Sequence, residues 1–306
     1  MTNCNANVPR QSLVAFSVAG STTLSKLVTF RNFGLRSQTA YAKDDGVNGT
    51  LWNNTQDYQI DKTVVNGNID LVPRPNDLRW LLPLITGGTF STNDIKPAPS
   101  CPFFRVGRND RKLGKQFVYQ DCVVGNATLS SNDATNGVLS LSMAIEAAQM
   151  ARSNNSGWPT GMSLSTQQPF VHRQSVLTLN GVTRRIKDVS VTFDNQLMTD
   201  EFYNSRYRTD FPQDGQLITL THTSPFDTAD EEALLDLTAG VSATLVYTSG
   251  GMSLTFTFSS LRAIPAEPAI GGRGTRVTNQ ITWEACVDSA GTPNDCPLLI
   301  TLDDTP

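Results

Sequence analysis

The chain has only two histidines, His172 and His222, and five cysteines, none of them in a Cys-x-x-Cys pair. A structural zinc centre needs four nitrogen or sulfur ligands at short spacings, and the sequence offers no such group. The histidines fall on different segments, without cysteine or carboxylate at ligand spacing, so packed or surface histidine is the simpler reading of both. An odd cysteine count favours free thiols, although Cys286 and Cys296 flank a turn-rich segment that a disulfide could close. Charge is sparse too: 17% of 306 residues are Asp, Glu, Lys or Arg, the net charge is −4, and there is no basic run. Tight attachment to a phosphate backbone is therefore not indicated, because clustered Lys and Arg carry such binding. No apolar run approaches the ~20 residues of a membrane helix, and Met1–Pro9 lacks the charged-then-apolar pattern of a signal peptide. The expectation is a protein folded in cytoplasm, with no membrane partner and no cofactor.

What the chain does have is alternation. Leu139, Leu141, Met143, Ile145 and Ala147 alternate with small or polar residues, and so do Val189, Val191 and Phe193 with Asp188, Ser190, Thr192, Asp194 and Gln196. A third such series, Met252, Leu254, Phe256 and Phe258, follows a Ser249-Gly-Gly turn after Val241–Tyr247. Period two of this kind marks strands with one buried and one wet face. The stretch Val64–Gly88 organises the first half. Val65, Ile69 and Leu71 form a strand, Gly67 permits close backbone approach, and Pro73 and Pro75 end the ladder. Asn76 or Asp77 then caps a short helix with Leu78, Leu81, Leu82 and Ile85 on one face, shortened by Pro83 and closed by Gly87-Gly88. A similar unit returns at Gly215–Leu220, Pro225 and a capping box at Thr228–Glu231, followed by Ala233, Leu234, Leu235 and Leu237.

Each half thus reads strand, strand, long excursion, strand, short helix, three strands. Residues 1–150 form a first domain, 151–170 a Ser/Asn/Gly/Pro linker and 171–306 a second domain. The excursions Gln38–Asp61 and Met198–Gly215 are too long for bare hairpins and carry aromatics among polar residues. That pattern suits subunit contacts, with Asp44, Asp45, Trp52, Tyr58, Phe202, Tyr203 and Tyr207 as candidates. Stacking of single-stranded nucleic acid on Phe202–Phe211 is the rival account, and the acidic balance argues against it. No catalytic group emerges. Gly271–Thr275 lacks the Gly-Lys-Ser/Thr ending of a phosphate loop, and the carboxylates Asp230, Glu231 and Glu232 are explained by the helix dipole.

The order of G-N-I-D-L-V-P-R-P-N-D-L-R-W-L-L-P-L-I-T-G-G (67–88), F-V-Y-Q-D-C-V-V-G-N-A-T-L (117–129) and I-K-D-V-S-V-T-F-D-N-Q-L (186–197) resembles the major tail tube proteins of long-tailed, non-contractile bacteriophages of the siphovirus type. The resemblance spans nearly the whole chain. It implies an all-β fold with two short helices, in two similar β-sandwich or β-barrel domains with a flanking helix each. It also implies rings that stack into a hollow tube, a tail component of the virion assembled in the host bacterial cytoplasm. The implied partners are the chain itself, tape measure, terminator and distal tail proteins, and DNA in transient, non-specific passage. The apparent duplication predicts three copies per pseudo-hexameric ring, with a true hexamer as the alternative. On this reading Asp188, Ser190, Thr192, Asp194 and Gln196 face the lumen. A tail terminator, a capsid decoration protein and, on the enzyme side, a carbohydrate-binding or glycosidase module are the competing classes. The last needs an aromatic platform or a carboxylate pair around a cleft.

Overall fold

The computed structural model describes residues 12–43, 58–133, 137–225, 240–264, 278–287 and 296–305. The described residues are mostly antiparallel sheet. In the first half the strands are β1 (Ser12–Phe16), β2 (Lys26–Val28), β3 (Phe30–Phe33), β4 (Arg36–Lys43), β5 (Tyr58–Leu71), β6 (Asp94–Ile95), β7 (Phe104–Asp110), β8 (Lys115–Asn132) and β9 (Ser140–Asn154). The second half holds β10 (Ser175–Leu179), β11 (Val182–Arg184), β12 (Asp188–Asp194), β13 (Leu217–Pro225), β14 (Val241–Ser249), β15 (Met252–Ile264), β16 (Thr278–Cys286) and β17 (Leu298–Asp303).

Eight of these strands make one continuous layer. From one edge to the other the order is β3–β4, here counted as a single interrupted strand, then β5, β9, β8, β12, β13, β16 and β15; β3 and β4 follow each other along the same side of β5. Read in chain order, both halves obey the same rule: first strand, second strand, fourth strand, third strand. Thus β3–β4, β5, β9, β8 in the first half corresponds to β12, β13, β16, β15 in the second. The halves meet where β8 pairs with β12, from Asn126↔Asp194 to Asn132↔Asp188. The long strands β8 and β15 leave this layer toward their N-terminal ends and join a second one. There β8 pairs with β7, which also pairs with β1, while β15 pairs with β14 and β17.

Between the layers lies the core. Alternation decides which side chains enter it: Leu141, Met143, Ile145 and Ala147 of β9, and Val189, Val191 and Phe193 of β12, are all buried. The buried cluster runs without a break from Phe16, Leu78 and Tyr119 to Phe256, Trp283 and Leu302, so both halves share apolar contacts. Gly67 does what its position suggested. A Cβ there would lie 2.3 Å from the Gly34 carbonyl oxygen, and the Gly34 N–H donates to Asn68 O at 2.7 Å. This close passage lets β3 and β4 run along the same side of β5.

The helix α1 (Pro75–Thr86) buries Leu78, Leu81, Leu82, Leu84 and Ile85 and packs on β8, β15 and β17, strands from both halves. Two details differ from the sequence reading. The N-cap is Arg74 and not Asn76 or Asp77, because Pro75 with its fixed φ takes the first helical position. Asp77 is then the third helical residue, and its carboxylate accepts the Arg74 backbone N–H at 3.0 Å. Pro83 sits inside the helix without ending it. One more turn follows, and Gly87 at φ 72 closes it by donating to Pro83 O at 3.1 Å. The helix expected near Thr228 lies outside the described residues.

Boundaries move as well. β4 and β5 extend well into Gln38–Asp61, so its described ends are strand. Strand β9 continues to Asn154, and a 3-10 turn at Asn155–Gly157 opens the irregular stretch that follows. That stretch is tied to α1 and the C-terminal strand: Gln167 Oε1 accepts the Asn76 N–H at 2.7 Å, and its Nε2 donates to Asp304 O at 2.8 Å.

Candidate functional site

Polar side chains cross the whole width of the eight-strand layer on the face turned away from the core, with Ala144, Leu217 and Ile264 as apolar positions among them. One row crosses every strand in register: Asn32, Asp70, Ser142, Thr128, Thr192, Thr219, Glu284, Arg262. The row is knitted by side chains. Ser142 Oγ donates to Asp70 Oδ1 at 2.6 Å, and the Thr128 and Thr192 hydroxyls are 3.0 Å apart. A parallel row adds Ser140, Ser130, Ser190, Thr221 and Thr282, with the Ser130–Ser140 pair at 3.1 Å and the Thr221–Thr282 pair at 3.0 Å. Hydroxyls directly opposite each other satisfy one another, which lets Thr and Ser occupy a sheet face without long charged side chains. Asp70, Glu146, Asp188, Asp194 and Glu284 lie on this same face, with Arg262 at its edge.

Four of the five residues expected on the polar face of the second half are there: Asp188, Ser190, Thr192 and Asp194 alternate with buried Val189, Val191 and Phe193. Gln196 lies past the strand, at φ 43, where its N–H donates to Asp194 Oδ1 at 3.0 Å. The sequence reading missed the first-half partners Asn126, Thr128, Ser130 and Asn132. Their signal was a Thr/Ser/Asn alternation in the last third of β8, visible but shorter than that of β12.

The second excursion folds back on the first half. The Thr63 N–H donates to Arg206 O at 2.8 Å, Arg206 Nε donates to Thr63 Oγ1 at 3.1 Å, and Lys62 pairs with Asp200 at 3.2 Å. Arg208 is 7% exposed; its guanidinium pairs with Glu146 and lies 5.9 Å from the ring centroids of both Phe202 and Phe211. Phe202 therefore faces the chain's own Lys62 and Arg208, and Tyr207 is 5.4 Å from the Arg206 guanidinium. Tyr203 points outward, 68% exposed on a left-handed backbone at φ 40, and Tyr58 is also exposed. Asp44, Asp45 and Trp52 lie outside the described residues.

Of the groups that could carry chemistry, His222 is buried and stacked on Trp283 at 6.5 Å, and burial lowers its pKa to about 4. His172 is buried between Ser131, 3.0 Å from Nδ1, and Ile186 O, 3.2 Å from Nε2. Cys101, Cys122, Cys286 and Cys296 are free thiols, and burial pushes that of Cys101 up to about 12. Among the described residues no three His, Cys, Asp or Glu side chains are grouped to hold a metal ion.

Fold and face together define an all-β protein whose most extended feature is a wet sheet surface of hydroxyls, amides and carboxylates. The family model for phage tail tube protein matches residues 10–285, and the chain belongs to that family. It is a structural component of a phage tail. No curated protein matches the chain.

Proposed function

We propose that this chain is the ring-forming subunit of the tail tube of a long-tailed, non-contractile phage, and that its polar sheet face lines the channel through which DNA leaves the virion. The observation that carries this is the eight-strand layer, which presents one unbroken row of polar side chains from Asn32 to Arg262, hydroxyls at its centre and charged groups toward one edge. A wall for DNA has to be wet and weakly charged, since every phosphate contact made in transit has to be undone. Hydroxyls with a few carboxylates meet that need. The repeated strand order supports three copies per ring, each supplying two similar β units, since closed rings need a head-to-tail interface whose rotation returns on itself. The unbroken core across both halves supports the rival, one large unit per copy in a true hexamer. The remaining partners follow from a place in the tail: a tape measure protein inside the tube, a terminator and a distal tail protein at its ends. Tubes grown from concentrated protein in bacterial cytosol, imaged by electron microscopy and averaged without imposed symmetry, test the reading. Three chains per ring are expected; six overturn the trimer, and a purified protein that forms no rings overturns the tube assignment.

A further inference from the structure

Four Asn-Gly pairs occur in the chain, beginning at Asn48, Asn66, Asn136 and Asn180. Asn48 and Asn136 lie outside the described residues, and the other two pairs have opposite surroundings. Asn66-Gly67 sits inside β5 with strands on both sides: Asn66 lies opposite Arg36 of β4 and Glu146 of β9, and Gly67 lies opposite Ile145 with Gly34 packed against it. Asn180-Gly181 is the whole two-residue turn between β10 and β11, joining the pair Leu179↔Val182. Both turn residues are exposed, with φ 48 at Asn180 and φ 78 at Gly181, the left-handed pair that a tight hairpin asks of Asn-Gly. A Cβ at Gly181 would meet nothing within 4 Å, so the backbone stands in open space. The Asn180 N–H donates to Ser242 O at 2.9 Å, whereas the Gly181 N–H has no backbone hydrogen-bond partner among the described residues.

We propose that Asn180 is a site of spontaneous covalent modification in the folded protein: deamidation, with part of the product isomerised to isoaspartate. This concerns the single chain and does not depend on the tube reading. The nucleophile is the Gly181 backbone nitrogen, which attacks Asn180 Cγ once its proton has passed to hydroxide. The new C–N bond forms as the Cγ–Nδ2 bond breaks, and the side-chain nitrogen leaves as ammonia, closing a five-membered succinimide. Water then opens the ring. Attack at Cγ gives aspartate; attack at the main-chain carbonyl carbon of residue 180 gives isoaspartate, with the chain running through Cβ and Cγ. Glycine in the following position allows closure, because no Cβ crowds the attacking nitrogen. Closure also requires the Asn180 backbone to rotate, which an exposed turn on a short hairpin permits and a strand held on both sides resists. The two products act differently on the turn. Aspartate, like asparagine, tolerates the left-handed conformation. Isoaspartate adds a backbone atom to a turn of fixed length and undoes the Leu179↔Val182 pairing, releasing β11, only Val182–Arg184, while β14 still holds β10.

The test incubates the purified, unassembled chain at mildly alkaline pH, digests it at acidic pH to halt the reaction, and maps the peptides by mass spectrometry. Isoaspartyl methyltransferase with labelled S-adenosylmethionine marks the isoaspartate. The Asn180 peptide is expected to convert at least tenfold faster than the Asn66 peptide in the folded protein. In urea, where only the shared Asn-Gly sequence remains, the two are expected to convert at comparable rates. Equal rates in the folded protein overturn the proposal, and so does a methyltransferase label absent from the Asn180 peptide. Asn180→Asp supplies the aspartate product without isomerisation. Hydrogen exchange of the Val182–Arg184 amides is expected to quicken at least tenfold in isoaspartate-containing protein and to stay at the parent rate in Asn180→Asp. Unchanged exchange in the isoaspartate form overturns the claim that isomerisation breaks this turn.

Discussion

The hydroxyls of Thr128 and Thr192 lie 3.0 Å apart across the seam where the two halves of the chain join. They face away from the core, midway along the polar row, with Ser142 beside Thr128 and Thr219 beside Thr192. If this face lines the channel, charge placed here acts directly on passing DNA. The double variant Thr128→Arg/Thr192→Arg is expected to fold and form tubes, because the positions are half-exposed and arginine can extend into solvent. Its tubes should retain double-stranded DNA at ~50 mM salt and release it at ~200 mM, following counterion release from phosphate contacts. Filter binding of DNA to parent and variant tubes reads this. Equal retention by both places the face elsewhere than the lumen.

Gly67 and Gly34 give a sharper structural prediction. A Cβ at Gly67 would lie 2.3 Å from a backbone oxygen, on a backbone at φ 152 that side chains rarely adopt, and the neighbour is main chain that has no rotamer to change. Gly67→Ala is expected to cost about 2–4 kcal/mol, the range of substitutions that force backbone strain. Gly114→Ala, at φ 60 with open space around it, serves as the control and costs about 1 kcal/mol. Denaturant midpoints of both variants decide it, and equal losses would show that the close passage is relaxed in solution.

How much of this could be read in advance depended on the length of each pattern. β9, β12 and β15 carry four or more alternations, so both their faces were legible, as was the Gly67 contact from a glycine inside a strand. β6 and β11, with two and three residues, have no period to detect. The cap of α1 was misplaced because Asn76 and Asp77 are strong cap formers, while the decisive residue was Pro75, whose fixed φ sets where helical geometry begins. The β8–β12 seam lay beyond reach for another reason: antiparallel register between distant strands leaves no trace in composition. The same holds for Arg208 and Glu146, paired across 62 positions of sequence. Charged residues of an excursion read as solvent-facing until the fold brings their partner to them.

Tyr203 separates stability from assembly. It stands at φ 40 with Asn204 at φ 61, in a turn closed by the Ser205 N–H donating to Phe202 O at 2.7 Å, and it is largely exposed. A non-glycine residue in this conformation costs about 1 kcal/mol, a strain kept where the side chain has a use. Tyr203→Gly is expected to leave the melting temperature of the unassembled subunit unchanged or slightly higher and to slow tube growth at least tenfold. Light scattering during assembly follows this. Growth at the parent rate would remove Tyr203 from the subunit contact.

The last prediction concerns acid. His222 is buried between β12 and β16, opposite Val189 and Ile281, with Trp283 stacked on its ring at 7° and the Arg184 guanidinium near enough to disfavour a second positive charge. Burial is the larger cause and Arg184 the smaller, and together they bring its pKa to about 4, against 6.5 for the free side chain. A depressed histidine pKa means that the unfolded chain takes up a proton which the folded one refuses. The stability this group contributes is therefore complete above pH 6.5, falls as pH drops from 6.5 to 4, and changes no further below 4. The loss across that window is about 3 kcal/mol. Asp77 acts in the opposite sense, since burial raises its carboxyl pKa and acid relieves the cost, so the measurement has to compare a variant with its parent. His222→Phe keeps an aromatic ring against Trp283 and removes the titration. Urea midpoints at pH 7, 6, 5 and 4 should then fall less steeply in the variant, by about 3 kcal/mol over the range. A parent and variant that lose stability in parallel would show that His222 takes its proton without leaving the core.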